Sequence, residues 1–167
     1  QAGTLTLASL VPSATVFDLP SRRQVGAFHF TYTPVPDVDV KVNLTSTARK
    51  GAQQWGVGFG ISNMVEVAAP LDHRTTDLGT TLEWANSQRM VRIGYDASWF
   101  RNAVESLIVD NPMRFTDTAT AASQARMALW PGSTSNAVDT AGSIKLPGPT
   151  PATAYLSVGD WKQNAQL

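Results

Sequence analysis

Hydrophobic and polar residues alternate along several stretches of this chain. In residues 91–99 nearly every second side chain is large and apolar, and residues 38–45 follow the same rule. Successive side chains of a β-strand point to opposite faces, so each stretch predicts a strand with one apolar and one polar face. Residues 26–33 alternate equally well, and alternation continues through 75–85, 136–146 and, less regularly, 152–161. No apolar stripe of helical period is present, so the pattern predicts an all-β chain of about six long strands.

The connections between these strands differ in length. Short, turn-like segments alternate along the chain with long ones: the short ones are 34–37, 86–89 and 147–151, and the long ones are 46–74 and 101–135. Antiparallel strands that cross one layer produce this order, and outer-membrane barrels have short periplasmic turns and long extracellular loops. Residues 55–61 (WGVGFGI) also alternate, but another full crossing would break the order. We therefore place them inside the first long loop.

Pattern alone leaves two classes of protein open. The alternating runs are about 9–11 residues long, which suits tilted transmembrane strands. Strands of soluble sandwiches are usually nearer 5–6 residues, although longer ones occur. Only 16% of the residues are charged, against roughly 25% in soluble domains, which favours a surface that is not wholly in water.

Composition excludes several functions. Thirteen basic residues balance thirteen acidic ones, so no basic surface indicates nucleic-acid binding. The chain has no cysteine and therefore no disulfide, thiolate metal site or covalent c-type haem attachment. If haem takes part in the function, another chain must carry it. The sequence contains no run of about 18 apolar residues, so it predicts no transmembrane helix.

Seven motifs in register resemble those of one known family. They occur in this order: WGVGFGISNMVEV (55–67), PLDHRT (70–75), LEWAN (82–86), IGYDASWFRN (93–102), VDNPMRFTD (109–117), ARMALWPGST (125–134) and AYLSVGDWKQNAQL (154–167). Together they resemble the MtrB/PioB family of decahaem-associated outer-membrane β-barrels. The resemblance runs from about residue 50 to the end, and residues 1–50 match only in character.

The resemblance implies an antiparallel up-and-down barrel in the bacterial outer membrane. Such a barrel sheathes a multihaem c-type cytochrome for transmembrane electron transfer, and the haem belongs to the partner chain. About six strands cannot close a wide lumen, so residues 1–167 resemble a single all-β domain that is part of a larger barrel. The alternative is a soluble or peripheral all-β accessory subunit, of an adhesin-like or carbohydrate-binding kind.

On the barrel interpretation the two sides of the strands have different surroundings. The apolar side would contact lipid: Val38, Val40, Val42, Leu44, Val91, Ile93, Tyr95 and Trp99. The polar side would line the lumen: Asp39, Lys41, Asn43, Arg92, Asp96 and Ser98. Trp99 would lie near a membrane interface, where tryptophan is enriched.

No residue predicts catalysis, cofactor binding or metal binding. The two histidines, His29 and His73, are interpreted as a lumen residue and a loop-structuring residue. Asp37 and Asp39 supply too few oxygens for a calcium site and suit turn chemistry. The glycines of 56–60 lack the Lys-Ser/Thr of a phosphate loop, and no Gly-x-Ser-x-Gly nucleophile motif occurs. The sequence therefore predicts a protein that is not an enzyme.

Overall fold

The fold was determined as a computed structural model that describes residues 18–61, 64–148 and 150–164. All regular structure within these residues is β. The strands are β1 (Ser21–Val35), β2 (Val38–Gly58), β3 (Met64–Ala85), β4 (Arg89–Asn102), β5 (Ser106–Asp110), β6 (Gln124–Ala128), β7 (Ser133–Lys145) and β8 (Pro151–Gln163). Over the described ranges, no helix has the length and apolar character needed to cross a membrane.

Six of the strands form one sheet in the order β1-β2-β3-β4-β7-β8, and β5 pairs with β6 in a second sheet. The pairs β3/β4, β4/β7 and β7/β8 are antiparallel, and β3 is paired with β4 over residues 73–85. Each alternating stretch of the sequence lies almost entirely within one of the six strands. The predicted all-β, antiparallel, up-and-down fold is confirmed.

The six strands are longer than the alternating runs predicted. They measure 13 to 22 residues, and β2 and β3 are the longest. The order of the sheet is linear, and β1 and β8 are not hydrogen-bonded to each other within the part of the chain that is described. This topology suits a segment of a barrel wall.

The prediction of a long loop over 46–74 is wrong. Most of this segment continues β2 and β3 as paired strands, and the two are joined by residues 59–63. The alternation of WGVGFGI indicated strand, as its first four residues are, and Phe59 directly after them is fully buried. The connection between β2 and β3 shortens to 59–63, no longer than 146–150 between β7 and β8, so only the connection between β4 and β7 stays long.

The second predicted loop, 101–135, also holds strands. It contains the β5/β6 hairpin, in which Ser106 opposes Ala128 and Asp110 opposes Gln124. Asn111 directly follows β5 and is 2% exposed. Its side-chain amide donates to the carbonyl of Ala122 at 2.7 Å, and its side-chain oxygen accepts from the backbone N–H of Met113 at 3.0 Å. Asn111 therefore fixes both ends of the segment that joins β5 to β6.

Local chemistry explains the short turns. Asp37 adopts a φ of 70°, a left-handed conformation that aspartate tolerates better than most residues. The side-chain oxygen of Asn86 accepts from the backbone N–H groups of Gln88 and Arg89 at 2.9 and 2.8 Å. Of the predicted turn 147–151, residue 149 lies outside the described residues.

The chain divides into two compact units, where the sequence predicted a single domain over 1–167. Among the described residues, the first contains 18–22, 49–61, 64–72 and 103–130, and the second contains 23–48, 73–102, 131–148 and 150–164. The first unit has a small core that includes Val57, Phe59, Ala69, Leu71 and Ala121. In it the Trp55 and Trp130 rings meet edge to face, with 6.1 Å between their centroids. In the second unit most large apolar side chains of the sheet stay exposed.

Candidate lipid-facing and lumen-facing surfaces

The strand registers divide the sheet of the second unit into two chemically different faces. Residues directly opposed in an antiparallel pair point to the same face, which allows each face to be followed across β3, β4, β7 and β8. One side, the apolar face, carries Leu78, Leu82, Trp84, Val91, Ile93, Tyr95, Trp99, Val138, Ile144, Leu156 and Val158. The other side, the polar face, carries Asp77, Glu83, Arg92, Gly94, Asp96, Ser98, Ser135, Asp139, Ser143 and Ser157, together with the aromatic Tyr155 and Trp161 on β8.

The apolar face is exposed over most of its area. Ile93 is 50% exposed, Val138 53% and Val158 66%. Its two tryptophans lie at opposite ends, since Trp84 pairs with Val91 and Trp99 follows eight positions later on β4. Eight positions correspond to roughly 26 Å along a strand. An exposed apolar band with tryptophans at its two edges is typical of the lipid-contacting surface of an outer-membrane barrel.

An ion pair lies on the polar face, above a glycine. Asp139 opposes Gly94 directly, and its carboxylate lies 3.5 Å from the Arg92 guanidinium. The Asp139 side chain is only 7% exposed. A Cβ on residue 94 would collide with this carboxylate. Glycine is therefore required at position 94 for Asp139 to lie flat against the sheet.

Other charged groups of the polar face are also held by neighbours on the sheet. The hydroxyl of Ser98 donates to the Asp77 carboxylate at 2.6 Å. Lys41 of β2 lies 3.7 Å from Glu83 and 3.8 Å from Asp39. These contacts keep the charged side chains close to the wall.

Small side chains make part of the polar face shallow. A depression of about 350 Å³ is lined by Asn43, Thr45, Asp77, Leu78, Gly79, Asp96, Ala97, Ser98, Ser135 and Ala137. Most of these residues are short, so a partner could approach the backbone of the sheet closely. Arginines and lysines that project into open water are absent from this lining.

The structure places every residue of the two predicted surfaces in β2 or β4. In β4 the register puts Val91, Ile93, Tyr95 and Trp99 on the apolar face, and Arg92, Asp96 and Ser98 on the polar face. In β2 the two predicted sets alternate along the strand: Val38, Val40, Val42 and Leu44 against Asp39, Lys41 and Asn43. The contact of Lys41 with Glu83 joins the second set to the polar face. Which face meets lipid and which meets the lumen stays a prediction.

The histidines and turn carboxylates have local partners. His29 Nδ1 lies 2.8 Å from the side-chain oxygen of Asn43, and the His73 ring packs against Phe100 with 5.6 Å between centroids. Asp39 accepts a hydrogen bond of 2.6 Å from Thr33. Over the described ranges, no three His, Asp or Glu residues are arranged to hold a metal ion.

Sequence reasoning missed the side chains that complete the polar face. The alternation of 75–85 and 136–146 puts Glu83 and Asp139 on the polar sides of their own strands, but their partners Lys41 and Arg92 lie far away in sequence. Only the register between strands brings these pairs together. The signal available in the sequence was Gly94, a glycine inside an otherwise regular strand, which often marks a close approach.

These surfaces agree with the outcome of a family comparison. The family model described as outer membrane beta-barrel porin, MtrB/PioB, matches residues 3–167. The chain belongs to the MtrB/PioB family. No curated protein matches it.

Membership of the MtrB/PioB family confirms the resemblance found in the sequence and extends it. The match includes residues 3–50, where the motifs had shown only similar character. The protein is an outer-membrane β-barrel porin, its place is the bacterial outer membrane, and its wall contacts lipid. Porin families are generally non-enzymatic.

Proposed function

We propose that this chain forms part of the wall of an MtrB/PioB barrel that encloses a multihaem c-type cytochrome. Electrons would then pass between periplasm and exterior through haems carried by the partner. The chain would be a non-enzymatic scaffold and would hold no cofactor itself. The apolar face would contact lipid, and the polar face would contact the cytochrome.

The shallow, internally paired polar face is the observation that supports this proposal best. A water-filled pore that selects small ions usually projects charged side chains into its lumen. Here Arg92 is paired with Asp139, and Lys41 with Glu83. Short side chains line the depression, which lies beside these pairs and further along the same strands. Such a surface allows close packing against a protein, while its hydrogen-bonding groups remain available to the partner.

A closed barrel also suits the role of an insulator. Each backbone polar group of the wall is paired with a neighbouring strand, so the wall separates the haem chain from lipid without a break. The wall contributes shape and a low-polarity boundary, and the redox chemistry belongs to the partner. This division of labour agrees with a sequence that contains no cysteine.

Co-purification with haem tests the proposal. The complete barrel, isolated from native outer membranes under mild detergent, should carry a partner chain that retains haem after denaturation. The same complex in vesicles should pass electrons from an external reductant to an acceptor sealed inside. A barrel that is fully folded but brings no haem-bearing chain would contradict the proposal.

A further inference from the structure

Two arginines oppose each other at one end of the apolar face. Arg74 of β3 pairs directly with Arg101 of β4, two register positions beyond the pair Thr76–Trp99 and therefore on the same face. Both arginines are exposed. Together Arg74, Thr76, Trp99 and Arg101 line a depression of about 320 Å³.

This arrangement brings two like charges close together. Directly opposed residues of antiparallel strands have Cβ atoms roughly 5 Å apart, and like charges in such a pair are destabilising. Within the described part of the chain, no carboxylate lies within ion-pair distance of either guanidinium. Lys162 of β8, on the same face and at the same end, differs because Asp160 neutralises it at 3.3 Å. The arginine pair therefore lacks the anion that would balance it.

The position of the pair limits which anion can supply the balance. The end with Arg74 and Arg101 lies opposite the short turns, because β3 and β4 join through 86–88 at the far end. Short turns of outer-membrane barrels are periplasmic, so the arginine end faces the outside. Trp99 marks the edge of the apolar band there, at the depth of the lipid headgroups.

We propose that Arg74, Arg101 and Trp99 form a binding site for the phosphorylated headgroup of an outer-leaflet glycolipid, lipopolysaccharide. Planar guanidinium groups bind phosphate oxygens in a bidentate manner and are therefore well suited to this ligand. One phosphate between the two arginines would replace their repulsion by attraction. Trp99 and Thr76 would contact the sugar ring that carries the phosphate.

The test measures the lipid that stays with the complete barrel after detergent extraction. Lipopolysaccharide per folded barrel is compared in wild type, Arg74→Gln/Arg101→Gln and Arg89→Gln. Arg89 is the matched control, since it is exposed on the same face at the end with the short turns. We expect the double variant to bind lipopolysaccharide at least about tenfold more weakly, which is a loss of about 1.4 kcal/mol in binding free energy. Arg89→Gln should retain the wild-type amount.

Purified lipids separate this site from other sources of phosphate. Delipidated barrel should bind phosphorylated lipid A more tightly than the dephosphorylated lipid, and more tightly than phosphatidylglycerol. Arg74→Lys/Arg101→Lys should bind with intermediate affinity because it keeps the charge but loses the bidentate geometry. A change in gel mobility between unheated and heated samples verifies that each variant is folded.

Three results would overturn the site: equal retention in the folded double variant, equal loss in Arg89→Gln, or equal binding of the dephosphorylated lipid. Equal binding of phosphatidylglycerol would also overturn it, since it would indicate general attraction to anionic lipid. None of these measurements depends on a cytochrome, so the site and the proposed conduit can fail separately.

Discussion

Lysine at the middle of the apolar face should destabilise the barrel strongly. Val138 is the most informative position, because it pairs with Tyr95 on one side and Val158 on the other. Tyr95 lies four positions from Val91, which pairs with Trp84, and four from Trp99. Val138 is therefore roughly 13 Å along the strand from either edge of the band. It is also 53% exposed, so its side chain faces the surroundings.

The size of this destabilisation follows from the depth of the residue in the membrane. A lysine that faces lipid at mid-depth costs about 2–4 kcal/mol, which lowers the folding equilibrium roughly 30- to 700-fold. Ile93 lies two positions nearer the Trp84 edge, so Ile93→Lys should cost less than Val138→Lys. Asp96→Lys is the matched control, since Asp96 neighbours Tyr95 on the same strand but lies on the polar face. Substitutions of exposed residues outside lipid usually change the free energy of unfolding by less than about 0.5 kcal/mol.

The assay is urea unfolding of the complete barrel in lipid vesicles, supported by the fraction that migrates as folded on a cold gel. We expect the order of destabilisation Val138→Lys, then Ile93→Lys, then Asp96→Lys. Equal tolerance of Val138→Lys and Asp96→Lys would refute the assignment of faces. A reversed order would show that the polar face meets lipid.

Two further predictions concern the polar face and the first compact unit. Gly94→Ala should destabilise by about 1–3 kcal/mol in the same urea assay because the new methyl group displaces the Asp139 carboxylate. Gly142→Ala, whose methyl group would meet only the Met90 carbonyl oxygen at 3.8 Å, should be tolerated, and equal effects of the two would contradict the close contact. Hydrogen bonds from the backbone N–H and the hydroxyl of Ser123 hold the pKa of Asp117 below its ordinary value of 3.8. Asp117 therefore stabilises the 111–123 segment above about pH 4 and loses this effect as pH falls through the lowered pKa. Amide hydrogen exchange, corrected for its intrinsic pH dependence, should show this loss in wild type and not in Asp117→Asn; the same profile in both would contradict it.

Alternation was sufficient to predict the six strands and the separation of their side chains. In residues 91–99 the alternation has a period of two residues, which among regular structures is found only in a β-strand. Every large apolar residue of this stretch occupies the apolar face. The turns were also predictable, because Asp37 and Asn86 belong to residue types that favour turn conformations. These features depend on local chemistry and are therefore visible in one sequence.

Contacts between distant residues could not be predicted in the same way. Arg92 and Asp139 meet because β4 and β7 share one register, although the β5/β6 hairpin separates them in sequence. The arginine pair Arg74–Arg101 depends equally on the register of β3 and β4. The loop predicted over 46–74 rests on taking the gap between two alternating runs as the length of a loop. β2 and β3 instead extend past those runs, and only the connection between β4 and β7 stays long.

Cross-linking from the polar face tests the central claim most directly. The chain has no cysteine, so a single introduced cysteine carries a photo-reactive maleimide at one known position. Ser135→Cys lies on the polar face at the shallow depression, and Val138→Cys lies on the apolar face of the same strand. If the barrel encloses a cytochrome, irradiation of native membranes should attach a haem-bearing chain to the Ser135→Cys protein and not to the Val138→Cys protein. A haem-bearing adduct from Val138→Cys alone, or none from either in a folded barrel, would contradict the account.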